Sequence, residues 1–143
     1  LSDVRLLAAK TVGDVECGSG VIGSFVSPMA ADDFVKVLKD TFAVECVECN
    51  QLLRRPISTV ALCGGAGAFL LQEAMSCGAD AFVTGEMHYH EFFGLEQKIQ
   101  IAVIGHYQSE QFTNEVFREI IEKECPGVAC YLTKTNTNPI MHL

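Results

Sequence analysis

Residues 58–85 read STVALCGGAGAFLLQEAMSCGADAFVTG, and this stretch decides the fold. Two short runs rich in apolar and β-branched residues, STVALC (58–63) and DAFVTG (80–85), flank a glycine-rich turn and a helical segment, AGAFLLQEAMSC, which stops at Gly78 as a left-handed terminus. Strand, crossover helix and strand at this spacing make a parallel unit. Outward from it the alternation continues. Upstream, GSGVIGSF (18–25) reads as a glycine-broken strand, and Ser27-Pro28 as the N-cap and first-turn proline of a helix. In MAADDFVKVLKDTF, Met29, Phe34, Val37, Leu38 and Phe42 recur at helical spacing, and AVECVEC (43–49) reads as a strand. Downstream come a short helix in MHYHEFFGLEQ (87–97), a strand in IQIAVIG (99–105) and a long helix in HYQSEQFTNEVFREIIEKEC (106–125). A strand in VACYLT (128–133) and a turn-rich tail, NTNPIMHL (136–143), follow. The expected fold is α/β: three layers, a mostly parallel or mixed sheet with helices on both faces.

Composition narrows the function classes. The 143 residues are 49% hydrophobic and 20% charged, a balance that folds. Eighteen acidic residues against ten Lys plus Arg give a net charge of -8, the wrong sign for phosphate backbones or anionic lipid, so neither nucleic acid nor membrane is an expected partner. No run approaches the length of a membrane span and LSDVRLLAAK lacks the pattern of a signal peptide, so a cytoplasmic protein is expected. Seven cysteines, mostly within apolar runs, fit reduced and buried thiols better than disulfides, with Cys46 or Cys49 half exposed.

In an open α/β sheet chemistry gathers beyond the carboxyl ends of the strands. Three such ends carry candidates. Cys63-Gly64-Gly65-Ala66-Gly67 offers either backbone N–H groups to an anion or small residues to a tight crossover. Gly85-Glu86-Met87-His88-Tyr89-His90-Glu91 holds two imidazoles and two carboxylates, suited to metal ligation, proton transfer or a solvated first turn. If this segment is helical, Glu86 and His90 share a face, whereas His88 and His90 diverge by about 200°. At Gly105-His106-Tyr107-Gln108-Ser109-Glu110, a His-x-x-x-Glu pair places one nitrogen and one carboxylate on a common helix face. A metal would need further donors, from Asp80, Glu86, His88 or His90 or from residues outside the chain.

Taken in order, GSGVIGSF, VALCGGAGAFLLQEAMSCGADAFVTGEMHYHEFF, IAVIGHYQSEQFTNEVFREI and NTNPI resemble the carboxyl-terminal half of the Nif-three-like family, many of whose members are named as homologues of a type-two GTP cyclohydrolase. The resemblance implies a two-lobed α/β protein forming a homohexamer, with two divalent metals (zinc, iron or manganese) between the lobes. It places His106 and Glu110 as metal ligands, and Glu86, His90 and Glu91 along the same cleft. The family's His-His pair and Asp belong to an amino-terminal lobe, so the chain, which starts at Leu1, is expected to be one lobe of a longer protein and to bind metal poorly alone. Residues 1–17 are then the end of a preceding or inserted domain or a linker, and residues 18–143 the carboxyl-terminal lobe. Two readings stay open. One is a metal-dependent hydrolase of a nucleotide-like small molecule, with His90 as proton shuttle and Glu86 or Glu91 orienting it. The other is a non-catalytic, metal-dependent hexameric regulatory or binding protein of unknown ligand.

Overall fold

A computed structural model describes residues 1–141; the last two positions of the tail lie outside the described residues. The chain forms two compact parts, Leu1–Ser109 and the residues from Glu110 on. The first holds a six-stranded sheet built from β1 (Ser2–Val12), β2 (Val15–Met29), β3 (Glu48–Cys49), β4 (Ile57–Cys63), β5 (Ala81–Thr84) and β6 (Gln100–Val103). Their order is β1-β2-β4-β5-β6-β3. The pairs β4–β5 and β5–β6 are parallel, as residues 58–85 require, while β1–β2, β2–β4 and β3–β6 are antiparallel. The sheet is therefore mixed, with its parallel strands together toward one side. β1 and β2 form a hairpin across Gly13-Asp14, where Gly13 takes a φ of +62° that suits a tight turn. β2 runs unbroken through residue 18, where the sequence reading began the lobe.

Successive residues of the central strands feed opposite faces. Ala61, Phe82, Ile101 and Val103 join Leu70, Leu71 and Ala74 of the crossover on one face. On the other, Val60, Ala81, Val83 and Ala102 pack against Ala31, Phe34 and Leu38 of α1 (Ala31–Phe42). Both faces are covered, so these strands are continuously apolar rather than alternating. Phe34 is 1% and Leu38 4% exposed, and burying each contributes about 1.5–3 kcal/mol.

Local patterns misplace several boundaries. Ser27-Pro28 does not open α1; it lies within β2, between the paired residues Ser24 and Met29 where the register shifts, a place that tolerates a residue lacking N–H. Of AVECVEC only Glu48 and Cys49 pair, with Val103 and Ala102. Beyond them the Asn50 side chain bonds Ile99 O (2.9 Å) and Ile101 N (2.8 Å), taking the edge positions a longer strand would fill. The crossover splits into a 3-10 turn, Gly67–Leu70, and α2 (Leu71–Ser76), after which Gly78 is left-handed at φ +76° as expected. MHYHEFFGLEQ keeps only a 3-10 turn, Tyr89–Phe92. The long helix breaks into α3 (His106–Glu110) and α4 (Thr113–Glu124), where the Thr113 hydroxyl donates to Glu110 O at 2.7 Å in competition with the helix ladder.

In the second part VACYLT is not a strand. Alternating apolar residues specify a face, but a strand also needs a ladder, and no other strand is described among residues 110–141. The tail is turn-rich as read: Asn138 N bonds Asn136 Oδ1 and Ile140 N bonds Asn138 Oδ1. The cysteines are free thiols, but none is fully buried, and Cys46 and Cys125 are exposed. Among the described residues no helix is long and apolar enough to cross a membrane.

Candidate functional site

The parallel register Thr84↔Val103 brings the ends of β5 and β6 side by side, and Ile104 N donates to Thr84 O at 3.0 Å. Two residues past Thr84 stands Glu86; three past Val103 stands His106, the first residue of α3. Glu86 Oε1 and His106 Nδ1 meet at 2.7 Å. A carboxylate oxygen only accepts, so Nδ1 donates, which in the neutral ring leaves Nε2 as the nitrogen bearing the lone pair. With side chains 43% (His106) and 55% (Glu86) exposed, the pair adds little stability in water, and its effect is to orient the ring.

The loops around this pair are tied by backbone. Gly65 O accepts N–H bonds from Gly67, Gly85 and Glu86, each at 3.0 Å, and the hydroxyl of Thr84 at 3.2 Å. Thr84 is 1% exposed, and its oxygen also accepts from Gly67 N. Gly65 N donates to Ser109 Oγ, which donates to His106 O. The amides of Gly65 and Gly67 are thus bonded within the protein. A Cβ on Gly67 would come within 2.6 Å of Cys63 Cβ, so the tight-crossover reading of the glycines is the one observed. Thr84 and Ser109 were not singled out in the sequence, although a threonine directly before a strand-end glycine was the available signal.

The remaining candidates are placed as follows. Residues 86–88 are not helical, so Glu86 and His90 do not share a helix face; Glu86 engages His106. His90 instead stacks on His88, ring centres 5.6 Å apart and planes 10° from parallel. Glu91 accepts the His88 N–H at 2.7 Å, fixing the start of the 3-10 turn rather than orienting His90. Glu110 closes α3 and falls in the second compact part. Asp80 sits at the opposite end of β5, accepting from Ser58 N and Thr59 N and pairing with Arg55, which makes it structural. Burial raises its carboxyl, but the Thr59 and Ser58 amides and the Arg55 guanidinium outweigh that and hold it below the ordinary value. A cleft of about 470 Å³ adjoins the pair, lined by Ala66, Ala68, Phe69, Glu86, Met87, His88 and Glu91. Among the described residues no three His, Cys, Asp or Glu side chains converge as a metal site. They offer an oriented imidazole donor, which fits part of a metal shell and not the whole of one.

Residues 1–139 match the family model described as Duf34/NIF3 (NGG1p interacting factor 3). A Staphylococcus epidermidis protein named GTP cyclohydrolase 1 type 2 homolog is 30% identical over 132 residues, 89% of this chain and 36% of its own. One of the same name from Streptococcus pneumoniae is 28% identical over 136 residues, 90% of this chain and 51% of its own. The chain thus spans roughly a third to a half of these relatives. Among solved structures, a Bacillus cereus protein related to NIF3 superposes with TM-score 0.74 at 24% identity, covering 90% of this chain and 37% of that one. A Staphylococcus aureus hypothetical protein does so with TM-score 0.76 at 22% identity, covering 90% and 46%. These two likenesses speak to the fold, and the family match to descent: the chain belongs to the Duf34/NIF3 family.

Proposed function

We infer that the intact protein is a dinuclear divalent-metal hydrolase acting on a nucleotide-like small molecule, with His106 and Glu110 among the metal donors. The observation carrying this reading is the 2.7 Å contact of Glu86 Oε1 with His106 Nδ1, the arrangement by which a carboxylate fixes the tautomer and direction of a ligating imidazole. The name of the relatives, GTP cyclohydrolase 1 type 2 homolog, supports a nucleotide-like substrate. Two bound zinc, iron or manganese ions would supply a water of lowered pKa and a Lewis acid. Glu86 is then a positioning residue for His106 rather than for His90. His90, on the turn bordering the cleft, is the candidate to hold or move a proton, with its ring held parallel to His88. The remaining donors would come from the part of the relatives' length that this chain does not span. Metal content of the intact protein, by inductively coupled plasma mass spectrometry, and turnover of GTP and a nucleotide panel test this. Stoichiometric metal and turnover, both lost in His106→Ala, are expected; activity no higher than that variant's rejects the hydrolase.

A non-catalytic reading, in which metals hold a homohexamer that binds a ligand or partner, is favoured by α4. That helix leaves Val116, Phe117, Ile120 and Ile121 between 41% and 59% exposed, an apolar surface suited to assembly. It predicts that chelation loosens the assembly in sedimentation velocity, and an unchanged assembly counts against it.

A further inference from the structure

We propose that Ser109 is the positioning residue that registers His106 against Glu86, acting through a closed ring of four hydrogen bonds in which each member donates to the next. Glu86 N donates to Gly65 O at 3.0 Å, Gly65 N to Ser109 Oγ at 2.9 Å, Ser109 Oγ to His106 O at 2.7 Å, and His106 Nδ1 back to Glu86 Oε1 at 2.7 Å. Both members of the pair therefore take their place from Gly65: Glu86 through its carbonyl, His106 through its N–H with the serine hydroxyl as relay. The proposal extends the reading of His106 as a metal donor and rests on it only for the effect on metal affinity. A serine that donates to the carbonyl three residues back is ordinary in a helix and alone carries nothing. Here the same oxygen also accepts from a backbone N–H forty-four residues away, and the chain makes room for it. A Cβ on Gly85 would lie 2.6 Å from Ser109 Oγ and 2.7 Å from Gly65 O, so a glycine directly before Glu86 is what lets the three segments close. The frame matters because the pair does not hold itself together: with side chains 43% (His106) and 55% (Glu86) exposed, water competes for both. Without the hydroxyl, Gly65 N loses its acceptor, the start of α3 loses its tie to the turn after β4, and the imidazole exchanges the carboxylate for water. Ser109 is the side-chain link of the ring outside the pair, so a substitution there cuts the ring and leaves the backbone links in place.

The test uses the intact protein with isotopically labelled histidine, metals removed by chelation, and reads the His106 ring by long-range proton–nitrogen spectra in mildly alkaline buffer, where imidazoles are neutral. The His106 signals are those lost in His106→Gln. Wild type is expected to carry the proton on Nδ1, the form that the Glu86 carboxylate selects, and Ser109→Ala to shift it toward Nε2. A merely structural serine would lower the melting temperature and leave the tautomer alone. Zn²⁺ affinity, read by competition with a chromogenic chelator, should fall about tenfold in Ser109→Ala. In a Glu86→Ala background the same substitution should change it by less than about twofold, because the contact that Ser109 serves is already gone. Ser109→Cys, close in shape but a weak donor and acceptor, should give the same signature and stands in if the alanine variant does not fold. A wild-type ring protonated on Nε2, a wild-type tautomer in both variants, or a second full tenfold loss on top of Glu86→Ala overturns the proposal. Native metal content, measured before chelation, reports on the metal reading by itself. A tautomer that follows Ser109 in a protein without metal keeps the ring and sinks the metal centre, and native metal with a tautomer indifferent to Ser109 does the reverse.

Discussion

Glu86 Oε1 lies 2.7 Å from Nδ1 of His106, a residue twenty positions further along the chain, and the parallel pairing of β5 with β6 makes the contact possible. If the contact orients a metal-binding imidazole, Glu86→Gln keeps an acceptor of similar shape and loses the charge, whereas Glu86→Ala loses both. Metal affinity of the intact protein should fall by about 10- to 100-fold in Glu86→Ala and less in Glu86→Gln, read by competition with a chromogenic chelator. Equal affinity in all three proteins would remove Glu86 from the site.

Asp80 contributes to the loss of stability in acid. Its folded carboxyl titrates below the ordinary 3.8, so its contribution is fully present above that value and is lost as pH falls through the lower folded one. Asp80→Ala leaves the Ser58 and Thr59 amides without their acceptor and should cost about 1–3 kcal/mol at neutral pH. Urea titrations at neutral pH and near pH 3 check this: the gap between variant and wild type narrows in acid.

Thr84 is the buried hydroxyl that both donates to Gly65 O and accepts from Gly67 N. Thr84→Val preserves shape and removes the two hydrogen bonds of the hydroxyl, while Gly67 N and Gly65 O keep their bond to each other, so the cost should be about 1 kcal/mol, and Thr84→Ser retains most of the stability. Thermal melts of the two variants separate hydrogen bonding from packing.

The thiols should differ in reactivity. Burial, with Cys46 adding a smaller effect, pushes the Cys49 thiol up to about 11, so on the order of one in ten thousand is thiolate at pH 7. Iodoacetamide followed by peptide mass spectrometry should label the exposed Cys46 and Cys125 first. Cys49 labelling should rise about tenfold per pH unit through the alkaline range. Early labelling of Cys49 at neutral pH would contradict its burial.

The strand–crossover–strand unit was legible because VALC, AFVT and the apolar crossover each carry their own period, and Gly78 its own stop. The length of β2 was not legible: Pro28 marks a helix start in isolation, and only the ladder with β4 shows that Met29 pairs with Ile57. AVECVEC failed for a related reason, since its residues 43–47 would have to pair beyond Val103, where β6 ends. At the site, local spacing could not reach the contact between Glu86 and His106, which depends on a register that no short-range pattern encodes.

The Gly65 carbonyl shares its two lone pairs among four donors from the turn after β4, the end of β5 and the loop beyond it, while its own N–H reaches Ser109 in α3. One peptide group therefore acts as a common hinge pin for all three loops. Because the loops meet at one acceptor, the amides of Gly67, Gly85 and Glu86 are expected to exchange with solvent deuterium as a single kinetic group. A ligand that stills one loop would slow exchange in the other two, even where it touches neither.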